Sequence, residues 1–202
     1  MNQLSETARS VFRHESSAIL AVADRLDSNF DCAVEMICNC QGRVVFFGVG
    51  KSGHVGHRAA ATMASLGIPA FFVHAGESHH GDIGSITADD IVIAISYGGE
   101  SEEILVMLPV LNRIGARLIA ITGKPLSTLA THADVVLDTG PDQGEGVIGW
   151  THLSSIAASM AMGDALAVTA AMVRGFDEDI FALYHPGGSY GKELKRAERT
   201  DR

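Results

Sequence analysis

Residues 44–54 read Val44-Val45-Phe46-Phe47-Gly48-Val49-Gly50-Lys51-Ser52-Gly53-His54, a short β-favouring run that empties into a glycine-rich turn carrying a lysine and a serine. A helix that opens on such a turn aims its first backbone N–H groups and the positive end of its dipole at one place, which is an anion site. Lys51 adds a full charge there and Ser52 a hydroxyl donor, with Gly50 allowing the backbone to come close. The chemistry this suggests is recognition of a phosphorylated ligand. A second turn repeats the pattern. In Ser96-Tyr97-Gly98-Gly99-Glu100-Ser101, hydroxyls and glycines again precede a helix start, where Glu100, Glu102 and Glu103 suit the dipole.

The elements that must position these turns are legible from hydropathy. Leu4, Ala8, Val11, Ile19, Val22 and Leu26 recur at roughly helical spacing, so an amphipathic helix opens the chain, and residues 33–37 continue with a second. Strands are expected at 44–48, 70–73, 91–96, 118–122 and 135–138. Helices are expected at 54–66 and 102–114, with a long Ala-rich buried helix at 154–173. Strands that are apolar throughout and separated by helices imply an α/β fold whose parallel sheet is covered on both faces. In such sheets ligands bind beyond the carboxyl ends of the strands, where both glycine turns fall. The organisation reads as an N-terminal helical segment (1–42), one α/β domain (43–194) and a charged tail (195–202), with no repeat, linker or low-complexity stretch.

Composition narrows the partners. With 24 acidic against 15 basic residues the 202-residue chain carries a formal charge of −9, and its lysines and arginines form no long cluster. Nucleic acid, which demands a basic face, is not expected. A small anionic ligand is compatible, because the local field governs its binding. Cys32, Cys38 and Cys40 are odd in number and lack metal-ligand spacing, so they read as reduced, partly buried thiols. The N-terminus has no signal-peptide pattern, and no uninterrupted apolar run approaches the roughly 20 residues of a membrane span. A soluble cytoplasmic protein, with neither membrane nor nucleic acid as partner, is the expectation.

Two familiar motifs match in part. Gly48-x-Gly50-x-x-Gly53 fits the dinucleotide fingerprint, but the expected acid closing the second strand is replaced by His74, with Glu77 the nearest acid. Gly50-Lys51-Ser52 mimics the end of a Walker A loop, yet the earlier glycine position holds Val45. Neither NAD nor ATP is the favoured ligand.

Taken in order, six stretches resemble the SIS (sugar isomerase) domain family, and within it the arabinose-5-phosphate isomerases. They are 48–54, His74-Ala-Gly-Glu-Ser-His-His-Gly-Asp82, Ile93-Ala-Ile-Ser96 with Gly99-Glu-Ser-Glu-Glu-Ile104, Ile121-Thr-Gly123, Met162-Gly-Asp-Ala-Leu-Ala167 and His185-Pro-Gly-Gly188. The resemblance implies a five-stranded parallel sheet sandwiched by helices in a flavodoxin- or Rossmann-like three-layer arrangement. It also implies a homo-oligomer, a tetramer favoured, with active sites built between subunits. The activity implied is interconversion of D-arabinose 5-phosphate and D-ribulose 5-phosphate through an enediolate, without cofactor or metal, feeding a lipopolysaccharide sugar in many bacteria. Full-length members commonly carry a C-terminal pair of CBS domains, and this chain stops before any such pair.

Such a reaction needs a base to carry the C2 proton to C1, an electrophile for the enediolate, and an acid that helps open the sugar ring. By position, the resemblance gives Ser52, Ser96 and Ser101 to the phosphate, and Lys51, Glu103, Glu145 and His185 to catalysis. The proton shuttle falls to Glu145 or Glu103, ring opening to His185, and charge compensation to Lys51. His80 lines the cleft from the same or a neighbouring subunit. The blander readings are that Glu103 merely favours a helix start, that Lys51 is solvated and that His185 caps a turn. Asp164 is read as a packing and hydrogen-bonding residue rather than a chemical one.

This chain departs from the family pattern in two places. The phosphate turn has Gly98 where the family has a second serine, beside the bulky Tyr97. The segment from Glu145 to Ser154 is one residue short and lacks the usual Pro-Thr. A different sugar phosphate, or a non-catalytic sugar-phosphate sensor of the kind found in transcriptional regulators, are the rival functions.

Overall fold

The structure is a computed structural model that describes residues 3–142, 144 and 146–188; Glu145 and the tail at 195–202 lie outside the described residues. Five parallel strands form the sheet: β1 (Val44–Gly48), β2 (Ala70–His74), β3 (Ile91–Ile95), β4 (Arg117–Thr122) and β5 (Val135–Asp138), in the order β2-β1-β3-β4-β5. All five match the expected strands, and all pairings are parallel. The register sets Val44 opposite both Ala70 and Ile91, and Ile91 opposite Arg117.

Burial on both faces explains why β1, β3 and β4 past Arg117 read as continuous apolar runs, while the edge strands β2 and β5 are partly exposed. Alternate residues point to opposite layers. Phe46, Ile93, Ile95, Ile119 and Ile121 face a core shared with helices α1 (Gln3–Asp24), α2 (Ser28–Asn39), α3 (Gly50–Ser65) and α8 (Leu153–Val173). Val45, Phe47, Val92, Ala94 and Ala120 face a second core closed by α5 (Glu102–Leu105), α6 (Leu108–Ile114) and α7 (Thr128–His132). The result is three layers, as expected.

Three helix boundaries differ from the sequence expectation. α3 starts at Gly50 rather than at residue 54, because Gly50 takes a left-handed φ of 54° that lets the helix begin directly on the turn. The helix expected over 102–114 is two, with a break at Val106 and Met107 and Pro109 set in the first turn of α6, where its missing N–H costs no bond. α8 takes in Leu153. The short α4 (Ala75–Ser78) and the later α9 (Glu178–Tyr184) had no periodicity long enough to announce them.

α8 is the one helix among the described residues that is long and apolar enough to cross a membrane by length and composition. Ser154, Ser155, Ser159 and Asp164 interrupt its apolar run, so it meets that test by mean hydropathy and not as an uninterrupted apolar stretch. It lies against α1, α2 and α3, with Ala158, Met162, Leu166, Ala167 and Ala170 in the core. Asp164 pairs with Arg58 of α3 at 2.7 Å, the hydrogen-bonding role expected of it.

At the amino edge of the sheet, Asp90 is 1% exposed and staples two turns together. Its carboxylate accepts from the Arg43 amide and the Thr87 amide, each at 2.7 Å, and from the Thr87 hydroxyl at 3.0 Å. Burial alone would raise its pKa, but these hydrogen bonds and the Arg43 charge outweigh it and hold the carboxyl below its usual value.

Candidate active site

The strand order reverses between β1 and β3, since β1 leads outward to β2 while β3 leads the other way to β4 and β5. The crevice beyond their carboxyl ends is therefore the topological switch point. Both glycine turns open onto it. On the β1 side Gly48 ends the strand so close to α3 that a Cβ would stand 3.2 Å from the Gly53 amide. This approach sets Gly50, Lys51 and Ser52 on the first turn of α3, which carries no acidic residue to compete for an anion.

On the β3 side Ser96 is 4% exposed, and its Oγ stands 3.1 Å from Ser101 Oγ while accepting from the Gly99 amide at 3.2 Å. Ser101 precedes α5 but makes no side-chain cap bond to it, so its hydroxyl is directed to Ser96. Gly99 has a φ of 66°, and a Cβ there would lie 2.0 Å from Ser127 Oγ, so no other residue fits. Its carbonyl accepts from Leu129 N at 3.1 Å. Glu100 Oε1 accepts from Thr128 N at 2.7 Å, a bond that lowers the exposed carboxyl's pKa. The turn at 96–101 is thus latched to the start of α7.

Glu103 is exposed in the first turn of α5, and its carbonyl lies 3.4 Å from His79 Nε2. His79 and His80 follow β2 through α4, so they too stand at the carboxyl edge; His80 is exposed, its amide donating to Glu77 O at 2.8 Å. Lys51 donates its ammonium to the carbonyl of Thr151, in the segment that leads into α8. No group of three or more His, Cys, Asp or Glu able to hold a metal occurs among the described residues. Cys38 and Cys40 are half-buried free thiols on the other side of the molecule, and burial pushes both up in pKa.

His185 is elsewhere. It ends α9, where its ring stacks on Phe181 at 4.0 Å and its Nδ1 stands 2.9 Å from Phe181 O. α9 sits on Gly67: a Cβ there would be 3.1 Å from Tyr184 and 3.5 Å from Ile180. Gly67 follows the far end of α3, whose 16 residues span about 24 Å from Lys51. Within one chain, then, the structure gathers Gly50, Lys51, Ser52, Ser96, Ser101, Glu103 and His80 at one edge of the sheet and leaves His185 at the other. Glu145 lies outside the described residues.

Sequence reasoning marked the segment after Glu145 as a departure from the family pattern, but not the contacts that residues 146–152 make. Gly146 rests on His14 of α1, where a Cβ would be 3.2 Å from the His14 side chain; the Thr151 carbonyl holds Lys51; and the His152 ring meets Tyr97. The signals in the sequence were the shortened spacing from Glu145 to Ser154 and the missing Pro-Thr, neither of which names a partner.

The domain is thus a three-layer α/β sandwich with a glycine-rich turn on each side of its switch point. A family model for the SIS domain matches residues 37–169, and the chain belongs to that family. It is 45% identical over 189 residues to the arabinose 5-phosphate isomerase KdsD of Escherichia coli K12, covering 94% of this chain and 58% of that protein. The KdsD of Pseudomonas aeruginosa is 44% identical over 180 residues, 89% of this chain and 55% of the relative. The chain thus spans little more than half the length of these curated relatives. A solved structure of an E. coli CFT073 protein in complex with arabinose 5-phosphate superposes with a TM-score of 0.87 at 38% identity, covering 92% of this chain and all of the other.

Proposed function

We propose that this chain is an aldose–ketose isomerase that interconverts D-arabinose 5-phosphate and D-ribulose 5-phosphate. The observation that carries the reading is Lys51 and Ser52 on one side of the switch point with the paired Ser96 and Ser101 hydroxyls on the other. Likeness to the KdsD isomerases, and to a protein solved with arabinose 5-phosphate, supports it.

In this mechanism Ser52, Ser96, Ser101 and the first amides of α3 hold the phosphate, and that binding energy orients the reacting carbons. Glu103 or Glu145 removes the proton from C2 and delivers it to C1. The C1 oxygen becomes a hydroxyl, and the C2 hydroxyl, losing its proton, becomes the new carbonyl. An ammonium has three donors. One of Lys51's is given to Thr151, which leaves two for the enediolate oxygens. His185 assists ring opening from another copy of the chain, because a helix length separates it from its own Lys51. A homo-oligomer with shared sites, a tetramer favoured, follows. α1 and α8, packed together, both leave large apolar side chains in solvent for such an assembly to cover: Phe12, Leu20, Val168 and Met172.

The test is isomerisation of D-arabinose 5-phosphate by the purified protein beside Glu103→Gln and His185→Ala. Turnover that falls on the order of 10²-fold in each variant is expected from loss of proton transfer. Saturable binding of the sugar phosphate without turnover in any sample would move the reading to a sensor.

A further inference from the structure

We propose that Tyr97 and His152 form a wall that sets the length of sugar phosphate the cleft accepts, an inference that rests on the isomerase reading above. Tyr97 stands in sequence between the hydroxyls of the phosphate turn, yet its backbone is fastened to the end of β4: its carbonyl accepts from Gly123 N at 3.0 Å and from Thr122 Oγ1 at 3.1 Å. The ring lies across Gly123, where a Cβ would be 2.3 Å from Tyr97 Cε2, so this side chain needs the glycine beneath it. From there the ring reaches His152, with centroids 4.9 Å apart and planes tilted by 43°. Lys124 Nζ stands 5.8 Å from the Tyr97 centroid on the same strand end.

His152 is held in an uncommon backbone state. It is the one non-glycine residue with positive φ among the described residues, at φ 54° and ψ 37°, immediately before α8. That conformation costs roughly 1 kcal/mol for a residue with a Cβ and persists only where surroundings impose it. Its neighbour Thr151 is the residue that holds Lys51.

The two rings therefore span from the end of β4 to the head of α8 and close the β4 side of the crevice. A phosphate anchored by Ser52, Ser96 and Ser101 extends its carbon chain toward the Lys51 ammonium, which is held at Thr151 beside the His152 ring. A longer chain must press on the rings or on the Thr151 carbonyl. A hexose phosphate is longer by one CHOH unit, at least the bulk of a methylene, for which a walled pocket discriminates by about 10- to 200-fold. The wall selects five-carbon over six-carbon phosphates.

The test compares kcat/KM for D-arabinose 5-phosphate and for mannose 6-phosphate, a longer aldose with the same hand at C2. Tyr97→Ala and His152→Gly (a residue that takes φ 54° without strain) should lower the five- over six-carbon ratio at least about tenfold. Tyr97→Phe keeps the ring and should leave the ratio as in the wild type. Equal loss on both substrates in Tyr97→Ala, or a ratio moved as far by Tyr97→Phe, overturns the wall. If the wild-type protein turns over neither sugar, the isomerase reading fails by itself. The dissociation constants of the same two phosphates, measured by calorimetry, then carry the comparison, and an unchanged ratio again overturns the wall.

Discussion

Lys51 is the residue on which the proposed chemistry turns, since it is the cation placed at the switch point and tethered there through Thr151. Lys51→Met keeps the length of the side chain and removes the charge. Its kcat/KM should fall on the order of 10²–10³-fold, as for loss of one preorganised donor at a developing oxyanion. Thermal melting that stays close to the wild type would separate this loss from unfolding. Gly98 argues in the opposite direction. A Cβ there meets nothing within 4 Å, and its φ is outside the left-handed region, so a serine fits without strain. Gly98→Ser should restore the hydroxyl absent from the phosphate turn and lower KM about fivefold, the worth of one net hydrogen bond of about 1 kcal/mol. Steady-state kinetics at fixed ionic strength reads this directly. His185 carries the opposite lesson for sequence reading. Its neighbours Pro186, Gly187 and Gly188 mark it by type, but its location is set by Ile180 and Tyr184 docking on Gly67, a tertiary contact no local pattern announces.

At the scale of elements, the five strands were legible because each is a short apolar run, fully buried in β1 and β3, buried past Arg117 in β4 and partly buried in the edge strands β2 and β5, and the switch point followed from their order. What the sequence did not disclose was set by single backbone or packing events. The left-handed Gly50 opened α3 early, Pro109 accompanied the split between α5 and α6, and residues 146–152 were drawn across the crevice by partners on α1, α3 and the β3 turn. The staple at the amino edge gives a pH prediction. The hydrogen bonds to Asp90 hold its carboxyl pKa below the ordinary value of about 3.9. The ionised form is therefore favoured by folding. That stabilisation is present above about pH 4 and is lost as pH falls through the lowered folded value. Asp90→Ala leaves two amides without this acceptor and should cost about 2–3 kcal/mol at pH 7, with a smaller difference from wild type at pH about 3. Denaturant unfolding at the two pH values measures it. The latch from Gly99 and Glu100 to α7 supplies a second expectation. Binding of a phosphate at the turn should slow hydrogen exchange at the Thr128 and Leu129 amides.

For the whole molecule, the separation of His185 from Lys51 makes each proposed site a joint product of two copies. Inactive His185→Ala and Lys51→Met proteins, mixed and allowed to exchange subunits, should regain activity. Random pairing leaves roughly a quarter of sites with both residues intact. No recovery after exchange, verified by mass, would refute the shared site. Phe12→Glu and Met172→Glu, placed on the exposed apolar faces of α1 and α8, should shift sedimentation toward smaller species. The reversal of strand order has one more consequence. The β1–β3 seam divides the sheet into a two-strand and a three-strand half, and the two glycine turns proposed to hold the phosphate rise from its two sides. An anion seated there acts as a rivet across the seam. At about a hundred times its dissociation constant it adds about 2.7 kcal/mol against unfolding. Protein purified and stored in phosphate buffer should outlast protein kept in a buffer without it.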